Sequence, residues 1–470
     1  MKIIHVPYCF APDPMGGTEI YTAALAKDLE SLGVESVIAA PAATTTSYTF
    51  DGLRVRRFRV AVDNVDLRQL HGLGDPGAAA EFDKILAEEK PDLVHLHAFT
   101  QGVSVRLARA VKQRKLPVVF TYHTPTVSCQ RGTLMRWGTT FCDGKLDVRR
   151  CSGCTLHGLG LMRPLAVAVG AVPPSVGRSL GNAGLHGKMW TALRMSELTT
   201  LRHTMFRSLM MEVDHVVAVC NWICAVLLLN EVPQSKITLC RHGIRLSHSD
   251  AAGPAAAPPA DSKHQLRIAF LGRYDQTKGI HVLIRALRMD QSLKACLDIY
   301  GVVQSVANER YRQKMFARAA NDPRISFRDP IPSHEVVALL RGYDVLAVPS
   351  QWLETGPLVA LEAFAAGIPV IGWDIGGVAE IVKHEIDGLL IDPKARHAWT
   401  DTLRHLTKDR ALLAKLKAGV RPPRTSVQVA REMSGLYRSL LKAKSQAQSR
   451  LQSLGILLLP YLTAVTGCAA

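Results

Sequence analysis

At 470 residues the chain exceeds what one hydrophobic core organises, so the expectation is two α/β domains with a few appended segments. Its 47% hydrophobic and 21% charged residues exclude a disordered or low-complexity protein. The formal net charge of +17 fits nucleic acid, an anionic membrane surface or a phosphorylated substrate as partner and does not choose among them.

The chain opens on Met1-Lys2-Ile3-Ile4-His5-Val6, a strand-like run without the charged head, apolar stretch and cleavage site of a secretory signal. A cytoplasmic protein is expected, with its 10 cysteines reduced. Short β-branched runs at Lys2–Tyr8, Glu35–Ala42, Leu93–Ala98, Pro117–His123, His215–Cys220 and Ile237–Ile244 read as strands. Between the first two, Ile20, Ala24, Leu25, Leu29 and Leu32 recur at helical spacing and Gly33 stops the helix. The Ala/Pro-rich stretch 247–263 reads as a linker. A second series follows at Leu266–Tyr274, Cys296–Gly301, Ile325–Phe327, Val345–Ser350, Ile368–Trp373 and Gly388–Asp392.

Strands alternating with helices predict parallel, doubly wound sheets: two Rossmann-like domains facing across a cleft. The expected divisions are 1–246, carrying a helical, Cys-rich insertion at 125–212, then the linker, 264–425, and a carboxyl-terminal helix with an apolar tail at 426–470. The charge-free tail Leu451–Ala470 is interrupted by Gly455, Pro460 and Gly467, so docking on the protein or a membrane surface is expected rather than spanning. Within the insertion, His157–Met211 is poor in acids and carries several bases, which favours an anionic membrane surface or acceptor.

Chemistry concentrates in the second series. Gly272-Arg273…Lys278-Gly279 places two cations just past a strand end, suited to a diphosphate or simply solvated. Glu354-Thr355-Gly356-Pro357-Leu358 follows a buried strand and leads into a helix bearing Glu362 on its second turn. Pro357 suits the helix start, and the amides of Thr355, Gly356 and Leu358 form an amino-terminal anion or hydroxyl site.

Glu354-x7-Glu362, then Ala363–Ile371 and Gly376-Gly377-Val378-Ala379-Glu380, resembles the family-4 group of GT-B glycosyltransferases. The resemblance covers essentially all of Leu266–Pro393, including His384…Asp387-Gly388-Leu389. It implies a retaining glycosyltransferase that moves a hexose from a UDP-, GDP- or ADP-sugar to a glycan or lipid-linked acceptor, as in cell-surface polysaccharide synthesis. By the same resemblance Glu354 sits by the donor sugar, Glu362 binds the ribose, and Arg273 and Lys278 neutralise the diphosphate. In the first domain Gly16-Gly17 is the turn brought against the donor phosphates, and His123, at a strand end, approaches the reacting centre. His95 and His97 alternate with apolar residues and are expected to pack against the sheet, while His242 stands where the family has asparagine.

Retention without an opposed nucleophilic carboxylate favours front-face substitution, the site supplying positioning and charge stabilisation. No Asp-x-Asp triplet is present, and no catalytic cofactor is expected. Cys129, Cys142, Cys151 and Cys154 offer a structural zinc site or four unliganded thiols. Competing readings remain. A dinucleotide enzyme lacks its Gly-x-Gly-x-x-Gly after strand one, and a nucleic-acid binder lacks a stacking platform at 6% aromatics. A sugar-phosphate or glycogen-type synthase of the same fold shares the donor motifs.

Overall fold

The structure is a computed structural model describing residues 1–63, 66–245 and 265–466, with side chains as far as 446. The strands of the first domain are β1 (Lys2–Val6), β2 (Glu35–Ala42), β3 (Thr46–Phe50), β4 (Leu53–Arg59), β5 (Leu93–Leu96) and β6 (Val118–Tyr122). A separate hairpin, β7 (Met135–Arg136) and β8 (Thr140–Phe141), precedes β9 (His215–Ala218) and β10 (Ile237–Leu239). The main sheet runs β10-β9-β6-β5-β1-β2-β4-β3 and is parallel except for β3 against β4. Burial on both faces explains why β1, β5 and β6 read as nearly unbroken apolar runs.

The second domain has β11 (Leu266–Arg273), β12 (Ala295–Val302), β13 (Ile325–Arg328), β14 (Val345–Val348), β15 (Val370–Trp373) and β16 (Gly388–Ile391). They pair in the order β13-β12-β11-β14-β15-β16, all parallel. Each strand expected from the sequence is present. The linker expected at 247–263 lies outside the described residues.

Strand order sets the site. Chain direction across the sheet reverses beside β1, which β2 and β5 flank, and beside β11, which β12 and β14 flank. Ligands of such sheets bind at the carboxyl ends of strands flanking a reversal. Those ends carry Gly16-Gly17 after β1, His97 after β5, Arg273 closing β11 and Glu354 after β14.

Two features depart from the expected pattern. The β3–β4 hairpin was not foreseen, because Arg54, Arg56, Arg57 and Arg59 make β4 read as a polar loop. Arg57 is nevertheless buried, donating to Phe10 O at 2.9 Å and Pro41 O at 2.8 Å and pairing with Asp13. It thereby anchors the loop that follows β1.

The last helix, Ser426–Thr466, leaves the second domain and returns to the first. Val429, Ala430, Met433 and Tyr437 complete a core with Ile3, Tyr21, Leu25 and Val119. Each large apolar side chain buried there contributes about 1.5–3 kcal/mol. The start of the expected carboxyl-terminal segment is therefore part of the first domain's core rather than an appendage. The insertion folds into helices Val148–Gly158, Arg163–Gly170, Pro174–Asn182, Lys188–Leu193 and Met195–Glu212; Phe206, Leu209 and Met210 of the last enter the first domain's main core.

Candidate active site between the domains

A cavity of about 1100 Å³ opens between the domains. The first domain lines it with Pro14, Gln101, Thr126, Gln130 and Arg202, the second with Arg273, Asp275, Gln304 and Asn308. Arg273 is exposed on this wall. Of the other expected site residues only Cys129 touches the cavity. Gly17, His123 and the loop 354–358 lie on the seam beside it, where the two domains are in direct contact.

On the second-domain side, Glu354 is buried and its Oε1 takes three partners: Lys278 Nζ at 2.6 Å, Ser350 Oγ at 2.8 Å and Trp352 Nε1 at 2.8 Å. Burial alone would raise this carboxyl; the Lys278 charge and the three hydrogen bonds outweigh it and hold the group below the usual carboxylate range. Lys278 is thus the partner of Glu354 and not a free cation, and any diphosphate contact it makes is shared with that carboxylate. Pro357 is the extended residue preceding the helix Leu358–Ala365, one position earlier than expected, and Glu362 is half-buried on the second turn.

The loop 354–357 is pinned to the first domain. Thr355 Oγ1 donates to His123 O at 2.6 Å, and Trp222 Nε1 donates to Glu354 O at 3.0 Å. His242 Nδ1 donates to Gly356 O at 3.1 Å. Gly356 has φ +151°, a conformation that favours glycine, and a Cβ on Gly377 would lie 2.7 Å from Gly356 N. Glu380 completes the contact, accepting from the amides of Asn221 and Trp222 at 2.8 and 2.9 Å and pairing with Arg241 at 2.6 Å. It caps the amino terminus of the helix Asn221–Leu229 across the domain boundary. The sequence marked Glu380 as part of a motif without revealing this role.

On the first-domain side, Gly16 starts the helix Gly17–Glu30, and its amide donates to Glu19 Oε2 at 2.9 Å. A Cβ on Gly17 would stand 3.9 Å from Leu358 Cδ1, so the two helix starts meet across the seam. Glu19, which the sequence did not single out, is buried with its carboxyl pushed up by that burial.

His123 ends a line of buried imidazoles. Its Nε2 is 3.0 Å from His97 Nδ1, and His97 Nε2 is 3.2 Å from His5 Nδ1. The His123 ring stacks on His242 at 5.6 Å between centroids and meets Tyr21 edge-on at 4.9 Å. Burial drives all these imidazoles toward the neutral form: His123, His95 and His97 titrate well below the ordinary range, His242 at about 4 and His5 at about 3. His123 Nδ1 is buried without a partner. His5, His95 and His97 bring ligand atoms within 4.8 Å of one another, as in a metal site. Both nitrogens of His95 and of His97 are already hydrogen-bonded, His95 to Tyr437 and Thr121, so neither has a lone pair or N–H to spare, while His5 Nε2 is buried without a partner.

Arg202 was not legible from sequence. Its guanidinium is buried in the cavity wall over the Phe99 ring, donating to Phe99 O and Thr126 O, and burial brings it down to about 10. No acid pairs with it among the described residues. Cys129, Cys142, Cys151 and Cys154 line one small cavity of about 30 Å³. Four soft thiols suit zinc in kind, but among the described residues no three of these sulfurs lie within 4.8 Å. The four are free thiols in this arrangement.

Two family models match in tandem. "Glycosyl transferase 4-like domain" covers residues 16–243, and "Glycosyl transferases group 1" covers residues 257–421. With both domains in this order on a two-sheet frame, the chain belongs to the GT-B glycosyltransferases of the family-4 type. D-inositol 3-phosphate glycosyltransferase of Corynebacterium glutamicum is 37% identical over 152 residues, 31% of this chain and 36% of that protein. A putative glycosyltransferase of Bacillus subtilis, YtcC, is 31% identical over 189 residues, 38% of this chain and 46% of that protein. These matches span less than half the length of either relative.

Among solved structures, sucrose-phosphate synthase from Thermosynechococcus elongatus superposes with a TM-score of 0.62 at 18% identity, covering 94% of this chain and 100% of that one. Anabaena HepE in complex with UDP and glucose superposes at 0.59 and 15%, covering 93% and 100%. At these identities the likeness is one of fold.

Proposed function

We propose that the chain transfers a hexose, with retention, from a nucleotide-sugar donor held on the second domain to an anionic acceptor in the large cavity. The observation that carries this reading is the engagement of Glu354. With Oε1 held by Lys278, Ser350 and Trp352, the carboxylate is a poor nucleophile, and its Oε2 is the well-fixed acceptor for a sugar hydroxyl. Arg273 and Lys278 stabilise charge on the departing diphosphate, Lys278 while also paired with Glu354, and Glu362 takes the ribose. The incoming hydroxyl bonds to the anomeric carbon on the face the diphosphate leaves, and its proton passes to a diphosphate oxygen. HepE was solved with UDP, which makes UDP-glucose the first donor to test.

On the acceptor side, buried Arg202 pairs with no carboxylate among the described residues and sits in the cavity wall. This supports an acceptor bearing phosphate, either a phosphorylated polyol, as the names of the Corynebacterium relatives suggest, or a lipid-linked glycan for surface polysaccharide. A zinc held by Cys129, Cys142, Cys151 and Cys154 would be structural and outside the reaction, and would require these sulfurs to draw closer together than they stand here.

Calorimetric titration with UDP-, GDP- and ADP-sugars tests the donor site. Binding of one of them, lost in Arg273→Ala and Glu362→Ala, is the expected result. No binding, or equal binding by both variants, would sink the assignment.

A further inference from the structure

Helices on a water-facing surface bury their large apolar side chains and expose the polar ones. The outer layer of the insertion does the reverse. In Arg163–Gly170 the buried residues are Ala166 and Gly170, while Leu165 and Val167 are half exposed. The small residues allow close packing: a Cβ on Gly170 would lie 2.6 Å from Gly153 N. In Pro174–Asn182 the buried residue is Gly177, against Glu197 and Arg194, and Val176 faces outward. The adjoining turns add Leu159, Met162 and the helix-borne Met189, exposed by 68%, 75% and 63%.

Exposed apolar side chains concentrated in one layer mark an interaction surface. Its charge identifies the partner. From His157 to Leu193 the chain has no Asp or Glu, while Arg163, Arg178 and Lys188 are exposed. Exposed aliphatic side chains on a stretch whose charged residues are all basic match the boundary between acyl chains and anionic headgroups.

We propose that this layer docks the enzyme on an anionic lipid bilayer, with Leu159, Met162, Leu165 and Val167 entering the acyl boundary. Arg68 joins the layer to the active-site cavity. It pairs with Glu197 at 2.6 Å and with Asn182 Oδ1 at 3.0 Å, and leads directly into Gln69–Leu73, whose Leu70 and His71 line the cavity. Docking therefore brings the acceptor wall next to the lipid surface. The surface is separate from the donor residues, so this inference stands whether or not the donor assignment does.

Flotation of the full chain with phosphatidylcholine vesicles, with and without phosphatidylglycerol, tests it. Wild type floats with the anionic vesicles only. Met162→Ser/Leu165→Ser/Val167→Ser lowers the partition coefficient roughly tenfold or more through lost apolar insertion. Arg178→Glu/Lys188→Glu lowers it to a similar degree, since each basic residue contributes severalfold at an anionic surface. All the substituted side chains are exposed, so unchanged thermal unfolding is expected alongside. Wild type that ignores anionic vesicles overturns the proposal, as does triple-variant binding equal to wild type, which would place docking elsewhere. Self-association abolished by the triple variant, without flotation of wild type, would assign the face to a second copy instead.

Discussion

His97 and His123 are joined ring to ring by a 3.0 Å hydrogen bond, so the tautomer of one fixes that of the other. The 3.2 Å bond from His97 to His5 extends the coupling. With each ring neutral, protons running toward His123 leave its Nδ1 as a donor, and protons running toward His5 leave it as an acceptor. His97 acts through His123 and is a positioning residue. His97→Phe keeps an aromatic ring but removes both bonds, and kcat is expected to fall roughly tenfold with donor KM nearly unchanged. Steady-state kinetics of His97→Phe beside His123→Phe check this; a change confined to KM contradicts it.

The buried imidazoles also predict how stability responds to acid. Their pKa values in the folded state lie below the ordinary 6.5, at about 4 for His71, His203 and His242 and about 3 for His5. Above the ordinary value neither state binds the proton. As pH falls through it, the unfolded chain takes protons that the folded chain refuses, so stability is lost progressively down toward the folded values. Urea unfolding at a series of pH values should show this decline, and His5→Phe should lessen its slope. A flat profile between about pH 6.5 and 5 is incompatible with neutral buried rings.

Lys278 and Glu354 predict an asymmetric cycle. Lys278→Met leaves a buried carboxylate without its cation and is expected to cost about 3 kcal/mol. Glu354→Gln leaves Lys278, which retains some exposure, and should cost less. The double variant Lys278→Met/Glu354→Gln should recover part of the Lys278→Met loss. Denaturant midpoints for the three variants measure the coupling; additive losses would mean that the pair contributes nothing.

Glu380 predicts a link between helix capping and domain contact. Glu380→Ala removes the acceptor for two helix amides and the partner of Arg241, a loss of about 1–2 kcal/mol. Hydrogen exchange should accelerate at the amides of Asn221 and Trp222 and at Gly356 on the facing loop. Faster exchange at 221 and 222 alone would show the cap to be local.

Arg202→Gln should raise acceptor KM at least tenfold and leave donor binding by calorimetry unchanged, since its wall of the cavity belongs to the first domain. Weakened donor binding would place the donor in that part of the cavity instead.

Much of the molecule was legible in one dimension because its signals are local. Buried parallel strands are short apolar runs, helix starts carry Gly or Pro, and Arg273, Glu354 and Glu362 lie in a single motif-rich stretch. β4 was illegible because its arginines hide a strand whose one inward arginine is held by the carbonyls of Phe10, in the loop after β1, and of Pro41 in β2. The insertion's helices could be foreseen, but not their inverted faces, since which side of a helix is covered depends on what packs against it.

By itself, the sequence determined two doubly wound domains and marked Arg273, Lys278, Glu354 and Glu362 as the candidate donor-side groups. Only the tertiary structure decided what those groups are bonded to. Lys278 reaches Glu354 across 76 positions, Glu380 caps a helix 159 positions away, and Tyr437 bonds His95 across 342. Such partners are set by strand order and domain closure, which bring distant residues to one place and exclude water there. That exclusion pushes the histidines toward neutrality and leaves Arg202 with no acid among the described residues, neither of which a linear pattern encodes.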